Sequence, residues 1–255
     1  MARIFVTGSA DGLGLIAGKQ LIAQGHKVIL HARNAKRADD AKRALPQCEA
    51  VVIGDVSLMA ETKSVADQVN KLGRCDGVIH NVAIGPSSGP DKTADGFASL
   101  FAINVVAPYL LTALITRPDR LVYMSSGMHY SGDASLKDPH WEKRRWNGSQ
   151  AYSDSKLFDL ILAMGVARRW SQVKSNAVDP GWVPTKMGGR GAPDNLEEGA
   201  ATQVWLVASD DPNARVTGQY FHHKAKRLMN PAGNSTEAQD NLIDYLAGIT
   251  KVKLA

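Results

Sequence analysis

Only two cysteines, Cys48 and Cys75, occur among the 255 residues. Two thiols make no disulfide framework, so the fold must rest on its core, and both are expected to be reduced bystanders in a cytoplasmic protein. No apolar run approaches the ~18 residues of a membrane span. The first strand pattern follows Met1 directly, which leaves no room for a signal peptide. The expectation is a chain with no membrane anchor. The seven histidines show no metal-ligand spacing, so no metal is expected. Linkers, low-complexity runs and internal repeats are also missing. With a net charge of +5 and a pI of about 9.2, the chain is only mildly basic. A polyanionic small molecule would account for that charge without nucleic acid. The basic cluster Lys224, Lys226 and Arg227 after His222-His223 reads as a solvated loop.

What is present begins at once. Arg3 to Val6 is a β-rich apolar run that ends in Thr7-Gly8-Ser9-Ala10-Asp11-Gly12-Leu13-Gly14. Leu13, Ile16, Ala17 and Leu21 then recur at helical spacing, which predicts a strand–turn–helix unit. Glycines let such a turn tighten and approach a pyrophosphate, whose charge the helix N-terminus stabilises. The spacing is Thr-Gly-x-x-x-Gly-x-Gly, which differs from the more familiar Gly-x-Gly-x-x-Gly fingerprint. The bland alternative is a purely structural glycine turn.

Far downstream stands Tyr152-Ser153-Asp154-Ser155-Lys156. Tyr152 and Lys156 are four apart, so on a helix they share one face. An ammonium beside a phenol favours the phenolate and lowers a pKa that is ordinarily about 10. That pairing suits a general acid/base, although a solvated helix face would carry the same pattern.

Between these motifs, short apolar runs alternate with helical stretches: Lys27–Ala32, Ala50–Ile53, Gly77–Asn81, Arg120–Ser125 and Lys174–Val178. This predicts one α/β domain over residues 1–255. Its expected architecture is a Rossmann-type, doubly wound parallel sheet with helices on both faces and sites at the strands' C-terminal ends.

Both motifs, in this order and at this separation, resemble the compact type of the short-chain dehydrogenase/reductase family, from Arg3 to about Phe221. Other stations match too. They are Asp55-Val56, His80-Asn81-Val82-Ala83, Asn104, Ser125-Ser126, Asp179-Pro180-Gly181-Trp182-Val183-Pro184-Thr185 and Thr217 to Phe221. The resemblance implies hydride transfer between a nicotinamide cofactor and a small carbonyl or alcohol substrate. Tyr152 would move the proton, and Lys156 would hold the nicotinamide ribose and depress the tyrosine pKa. Ser126 would bond the reacting oxygen, and Asn104 would support a water relay from Lys156. Cofactor contacts would come from Gly8, Ser9, Asp11, Gly12, Leu13, Gly14, Arg33, Asp55, Val56, Asn81, Val82, Ala83, Tyr152, Lys156, Pro180, Gly181, Val183 and Thr185.

The second strand ends in His31-Ala32-Arg33-Asn34. Ala32 stands where NAD-preferring relatives carry an acid, and Arg33 can pair with a 2′-phosphate. The expectation is NADP(H) over NAD(H), with Lys36 and Arg37 as helpers. A surface arginine is the alternative.

Two departures stand out. The 26 residues separating Ser126 from Tyr152 are about twice the separation in most compact members. The added segment, 129–150, carries Trp141 and Trp146 and is similar to the retinol dehydrogenase and protochlorophyllide reductase branch. It could be a substrate lid or wall, or a surface excursion. It also brings Ser131, Ser135 and Ser149 near as rivals to Ser126. In addition, Ala83 replaces the glycine of the family's Asn-Asn-Ala-Gly element, with Gly85 following.

The 186–197 segment is expected to be a substrate loop, and an apolar or aromatic carbonyl compound or alcohol is favoured. Thr236-Glu237-Ala238-Gln239 reads as a capping box that opens a helix over 236–249. Family resemblance implies a homodimer or homotetramer formed through the helices around Asn104 and Tyr152. A non-enzymatic NADP(H)-binding regulator on the same fold is the alternative function.

Overall fold

The computed structural model describes residues 1–254. Its centre is an eight-stranded sheet: β1 (Arg3–Val6), β2 (Lys27–Ala32), β3 (Ala50–Ile53), β4 (Gly77–His80), β5 (Arg120–Met124), β6 (Lys174–Asp179), β7 (Tyr220–His222) and β8 (Ala225–Lys226). The spatial order is β3-β2-β1-β4-β5-β6-β7-β8, and every pair is parallel except β7 with β8. The order reverses between β1 and β4, so a crevice opens beyond their C-terminal ends.

The helices are α1 (Gly12–Ala23), α2 (Ala35–Ala44), α3 (Met59–Lys71), α4 (Ser99–Phe101), α5 (Ala107–Leu114), α6 (Gly148–Arg169), α7 (Leu196–Ala208) and α8 (Thr236–Thr250). A sheet covered on both faces needs apolar residues on both, and the strands supply them by alternation. Ile4 and Val6 join Val28, Leu30, Ile79 and Val122 under α1 and α7. Phe5 points the other way and joins Ile29, Val78 and Leu121 in the core shared with α3, α5, α6 and α8.

Every residue of α6 from Ala151 to Ala167 is buried. A helix covered all round cannot present a solvated face, so Tyr152 and Lys156 lie inside the molecule. Part of the cover is the chain's own C-terminus. Leu242, Ile243 and Leu246 of α8 enter the core with Leu157, Leu160 and Ile161, and the Tyr109 hydroxyl donates to Val252 O at 2.8 Å.

Towards the C-terminus the elements depart from expectation. The cap of α8 is Ser235, whose hydroxyl accepts from Ala238 N at 3.2 Å, so the capping box predicted at Thr236 is displaced. Gln239 instead donates to Gly233 O. The last strand begins at Tyr220, three residues after the predicted start at Thr217. Beyond it a tight hairpin adds β8, with His223 and Lys224 both at positive φ. Asn-Gly or Asp-Gly usually marks such a two-residue loop, and neither occurs here. Both cysteines are free and buried, as expected. Among the described residues, no helix is long and apolar enough to cross a membrane.

Candidate active site

A cleft of about 1540 Å³ lies beyond the C-terminal ends of β1, β2, β4, β5 and β6. Its floor is the glycine turn. Gly8 takes φ +61°, and a side chain there would put its Cβ 2.9 Å from Val82 Cα. A Cβ on Gly14 would lie 2.5 Å from Gly8 O, so the turn can seat against α1 only with glycine at that position. Asp11 occupies the N-cap position of α1 but makes no capping bond, which leaves the first turn's N–H groups for another acceptor.

What supports this turn is not signalled by any local motif. His31 is buried at the end of β2, and its Nδ1 accepts the Gly8 N–H at 3.0 Å. Its Nε2 donates to Gly54 O at 2.9 Å, and its backbone N–H donates to Ser9 Oγ at 2.8 Å. Burial holds the imidazole below its ordinary pKa, so it stays neutral and keeps its acceptor. Ser9 is fully buried, and its hydroxyl donates to Val6 O. Ser9 and Gly14, both expected as cofactor contacts, thus shape the turn from behind and do not line the cleft.

Asn81 is likewise a brace. Its amide donates to Thr7 O at 3.0 Å and Gly8 O at 3.2 Å, while the Asn81 and Val82 N–H groups converge on Thr7 Oγ1. His80 carries no cleft function. It donates from Nε2 to Thr112 Oγ1, which also meets the Tyr123 hydroxyl at 2.7 Å. Of the residues assigned to cofactor contact, Asp11, Gly12, Leu13, Arg33, Asp55, Val56, Asn81, Val82, Ala83, Pro180, Gly181, Val183 and Thr185 line the cleft. Arg33 is exposed at the far end, where half-buried Arg37 joins it through a 2.8 Å ion pair with Asp11. Lys36 does not reach the wall.

At the other end, Tyr152 and Ser126 both line the cleft. Ser126 also caps a short 3-10 turn over Gly127–Ser131. Ser131, Ser135 and Ser149 lie away from the cleft, with Ser135 Oγ donating to Asp133. Lys156 is turned inward. Its Nζ donates to Met124 O at 2.7 Å and Asp159 Oδ2 at 2.8 Å, and lies 5.7 Å from the Tyr152 ring centroid.

Burial pushes the Tyr152 phenol upward, and the Lys156 ammonium only partly offsets this because Asp159 and Asp179 add negative charge. The phenol therefore sits above its ordinary pKa, opposite to the direction expected from sequence. Asn104 is fully buried. It sits in a π-helical turn (Ala102–Val106), its Oδ1 accepts from Ile84 N, and its Nδ2 donates to Ile84 O and Ser155 Oγ. Its side chain fixes the loop after β4 and does not bond Lys156.

The added segment is a buttress. Trp141 and Trp146 pack edge to face at 5.4 Å and join Ile84, Leu100, Ala151 and Tyr152. Arg144 lies over Trp141 and pairs with Asp154 at 3.1 Å, while His140 meets the Tyr245 hydroxyl at 2.8 Å. No residue of 129–150 lines the cleft. The covering loop comes instead from after β6. Met187 Sδ lies 3.9 Å from the Tyr152 hydroxyl, and Lys186 pairs with Asp11 at 2.6 Å across the cleft.

The family model for short chain dehydrogenases matches residues 2–195. This chain belongs to the short-chain dehydrogenase family. Within it, the chain is 42% identical to an uncharacterized oxidoreductase of Emericella nidulans, covering 95% of this chain and 94% of that one. A short-chain dehydrogenase of Gibberella zeae is 39% identical over 100% and 99%. Mouse retinol dehydrogenase 14 is 28% identical over 97% and 86%, in keeping with the branch that the added segment resembles. Among solved structures of the same fold, an uncharacterized Mycobacterium paratuberculosis protein matches with TM-score 0.85 and 23% identity, covering 100% and 95%. A metagenomic blue fluorescent protein solved with NADPH matches with TM-score 0.70 and 22% identity over 87% and 95%. The chain is thus an oxidoreductase of the short-chain dehydrogenase family, with a site built for a nicotinamide cofactor.

Proposed function

We propose that the protein is an NADP(H)-dependent reductase of small apolar carbonyl compounds, also able to run the reverse oxidation of the alcohol. The carrying observation is that one continuous cleft joins the glycine turn and Arg33 at one end to Tyr152 and Ser126 at the other. The residues fit a nicotinamide dinucleotide. The first turn of α1 would take its phosphates, Asp55 and Val56 would border the adenine, and Thr185 would orient the carboxamide. When bound, the cofactor supplies or accepts the hydride.

Two cations at the adenine end, Arg33 and Arg37, suit a 2′-phosphate through charge-assisted, paired donors. Ala32, at the end of β2, offers no carboxylate to repel it. The solved NADPH complex of a protein with the same fold agrees with this reading.

Tyr152 donates its proton to the substrate oxygen, and Ser126 holds that oxygen while charge develops on it. Lys156 supplies positive charge behind the phenol. Trp182, Met187 and Met128 are exposed at the mouth, where apolar side chains favour an apolar or aromatic substrate. A non-enzymatic NADP(H)-binding role is not favoured, because Tyr152, Lys156, Ser126 and Asn104 are all kept and Tyr152 and Ser126 open on the same cleft.

The test is NADPH consumption, with NADH alongside, against ketones, aldehydes and quinones, with Tyr152→Phe as control. Turnover that needs Tyr152 and prefers NADPH is expected. Turnover unaffected by the substitution overturns the assignment.

A further inference from the structure

Asp159 is one turn of α6 beyond Lys156, and both side chains are almost wholly buried, at 4% and 2% exposure. The carboxylate takes one proton of the ammonium and Met124 O takes another. Two of the lysine's three donors are thereby directed toward the end of β5, away from the cleft. A carboxylate costs stability in an apolar helix interface unless it is paired, so its placement calls for a role beyond packing.

We propose that Asp159 is a positioning residue that holds the Lys156 ammonium on the core side of the site and so keeps Tyr152 in the protonated form that delivers a proton to a carbonyl oxygen. The inference rests on the reductase reading of the same cleft and adds a direction to it, since the arrangement favours proton delivery to substrate. An unpartnered ammonium in this interior would tend to lose its charge, whereas Asp159 keeps it. Burial works against the Lys156 cation, but the charge and hydrogen bond of Asp159 oppose it, and the lysine stays above its ordinary pKa. Burial in turn raises Asp159 to about 6 despite the ammonium.

Burial is the main reason the phenol stays protonated, and the charges around it do not reverse that. On α6 it faces the Lys156 cation and the Asp159 carboxylate, and at the end of β6 it faces Asp179. Asp179 lies 3.6 Å from His222 Nδ1 of β7 and 3.4 Å from the Tyr220 hydroxyl, and His129 of the 3-10 turn feels its charge. From β5, Tyr123 feels Asp159, but its hydroxyl is bonded to Thr112 and stays protonated. One cation against two carboxylates leaves the phenolate disfavoured.

The experiment is a pH titration of the full chain without cofactor, labelled at tyrosine 13Cζ and lysine 13Cε. Tyr152 is assigned by its loss in Tyr152→Phe. In the wild type the Tyr152 signal should keep its phenol shift through neutral pH and on into the alkaline range. In Asp159→Asn the first deprotonation of the Tyr152–Lys156 pair should move down by about one pH unit or more, on whichever of the two signals reports it. Asp159→Ser removes the same charge and is read the same way.

Phenolate in the wild type near neutral pH overturns the proposal. So do variants that lose thermal stability while both titrations superimpose on wild type, the result of a merely structural carboxylate. The titration needs no substrate, so it judges Asp159 even if the panel fails and the reductase reading falls. Turnover with unmoved titrations would keep that reading and remove Asp159 from it. With a substrate in hand, the alkaline limb of NADPH-dependent reduction should move down by the same amount in Asp159→Asn.

Discussion

His31 Nδ1 accepts the Gly8 N–H at 3.0 Å, which fastens the phosphate-side turn to the end of the neighbouring strand. Replacing His31 with leucine leaves the Gly8 N–H and Gly54 O without their partner, a loss of about 1–3 kcal/mol. The expected result for His31→Leu is a lower Tm and NADPH affinity weakened on the order of tenfold. Cofactor fluorescence titration checks it, and unchanged affinity would show that the turn holds its shape without the imidazole.

Gly14→Ala places a Cβ 2.5 Å from a backbone oxygen, whereas the same change at Gly25 meets nothing within 4 Å. Gly25 has φ +83°, so it carries backbone strain alone, on the order of 1 kcal/mol. Gly14→Ala should lose cofactor binding outright, and Gly25→Ala should bind like wild type with a slightly lower Tm. Equal behaviour of the two variants would show that the turn tolerates displacement.

Arg33→Ala tests the phosphate end. Losing a charge-assisted bond of about 1.5–3 kcal/mol should weaken NADPH ten- to a hundredfold and leave NADH affinity within a factor of about two. Arg37→Ala should do less, because Arg37 is shared with Asp11 and Asp40. Isothermal titration with both cofactors distinguishes the outcomes, and equal losses for NADPH and NADH would remove Arg33 from selectivity.

Acid should unfold the protein progressively. Burial lowers His31 and His129 below 6.5 and takes His80 to about 3. Between those values the unfolded chain binds more protons than the folded one. The contribution is therefore intact above pH 6.5 and lost as pH falls, with an upper bound of roughly 5 kcal/mol for His80. Asp159, raised from 3.8 to about 6, acts in the opposite sense and loses stability as pH rises through that window. Three histidines outweigh one carboxyl, so Tm should fall on the order of 5–10 °C from pH 7.5 to 5. A flat profile in a thermal melt series would contradict the neutral assignment.

Much of the site was legible because its parts are local. The glycine turn, Ser126 at a strand end and the Tyr152–Lys156 spacing each occupy a few consecutive residues, and strand alternation placed them at one end of a sheet. What escaped depends on residues far apart in the chain. His31 lies 23 positions from Gly8, and nothing in a β-strand histidine announces a bond to a glycine turn. Asn104 matched a catalytic position, yet its amide is taken up by Ile84 and Ser155, twenty and fifty-one residues away. The added segment was visible as an insertion, but its use as a buttress behind Tyr152 required knowing which side of α6 it would cover.

By itself, the sequence determined the family, the parallel sheet, the glycine turn and the spacing of Tyr152 and Lys156 on one helix. These follow from local periodicity and from residue types that the chemistry cannot exchange. Tertiary structure alone decided the electrostatics. Burial of α6 on all sides raises the Tyr152 phenol where spacing suggested the reverse, and Asp159 becomes a partner of Lys156 only because both are shut away from water. A charge's worth depends on its surroundings, and the chain acquires those surroundings only on folding.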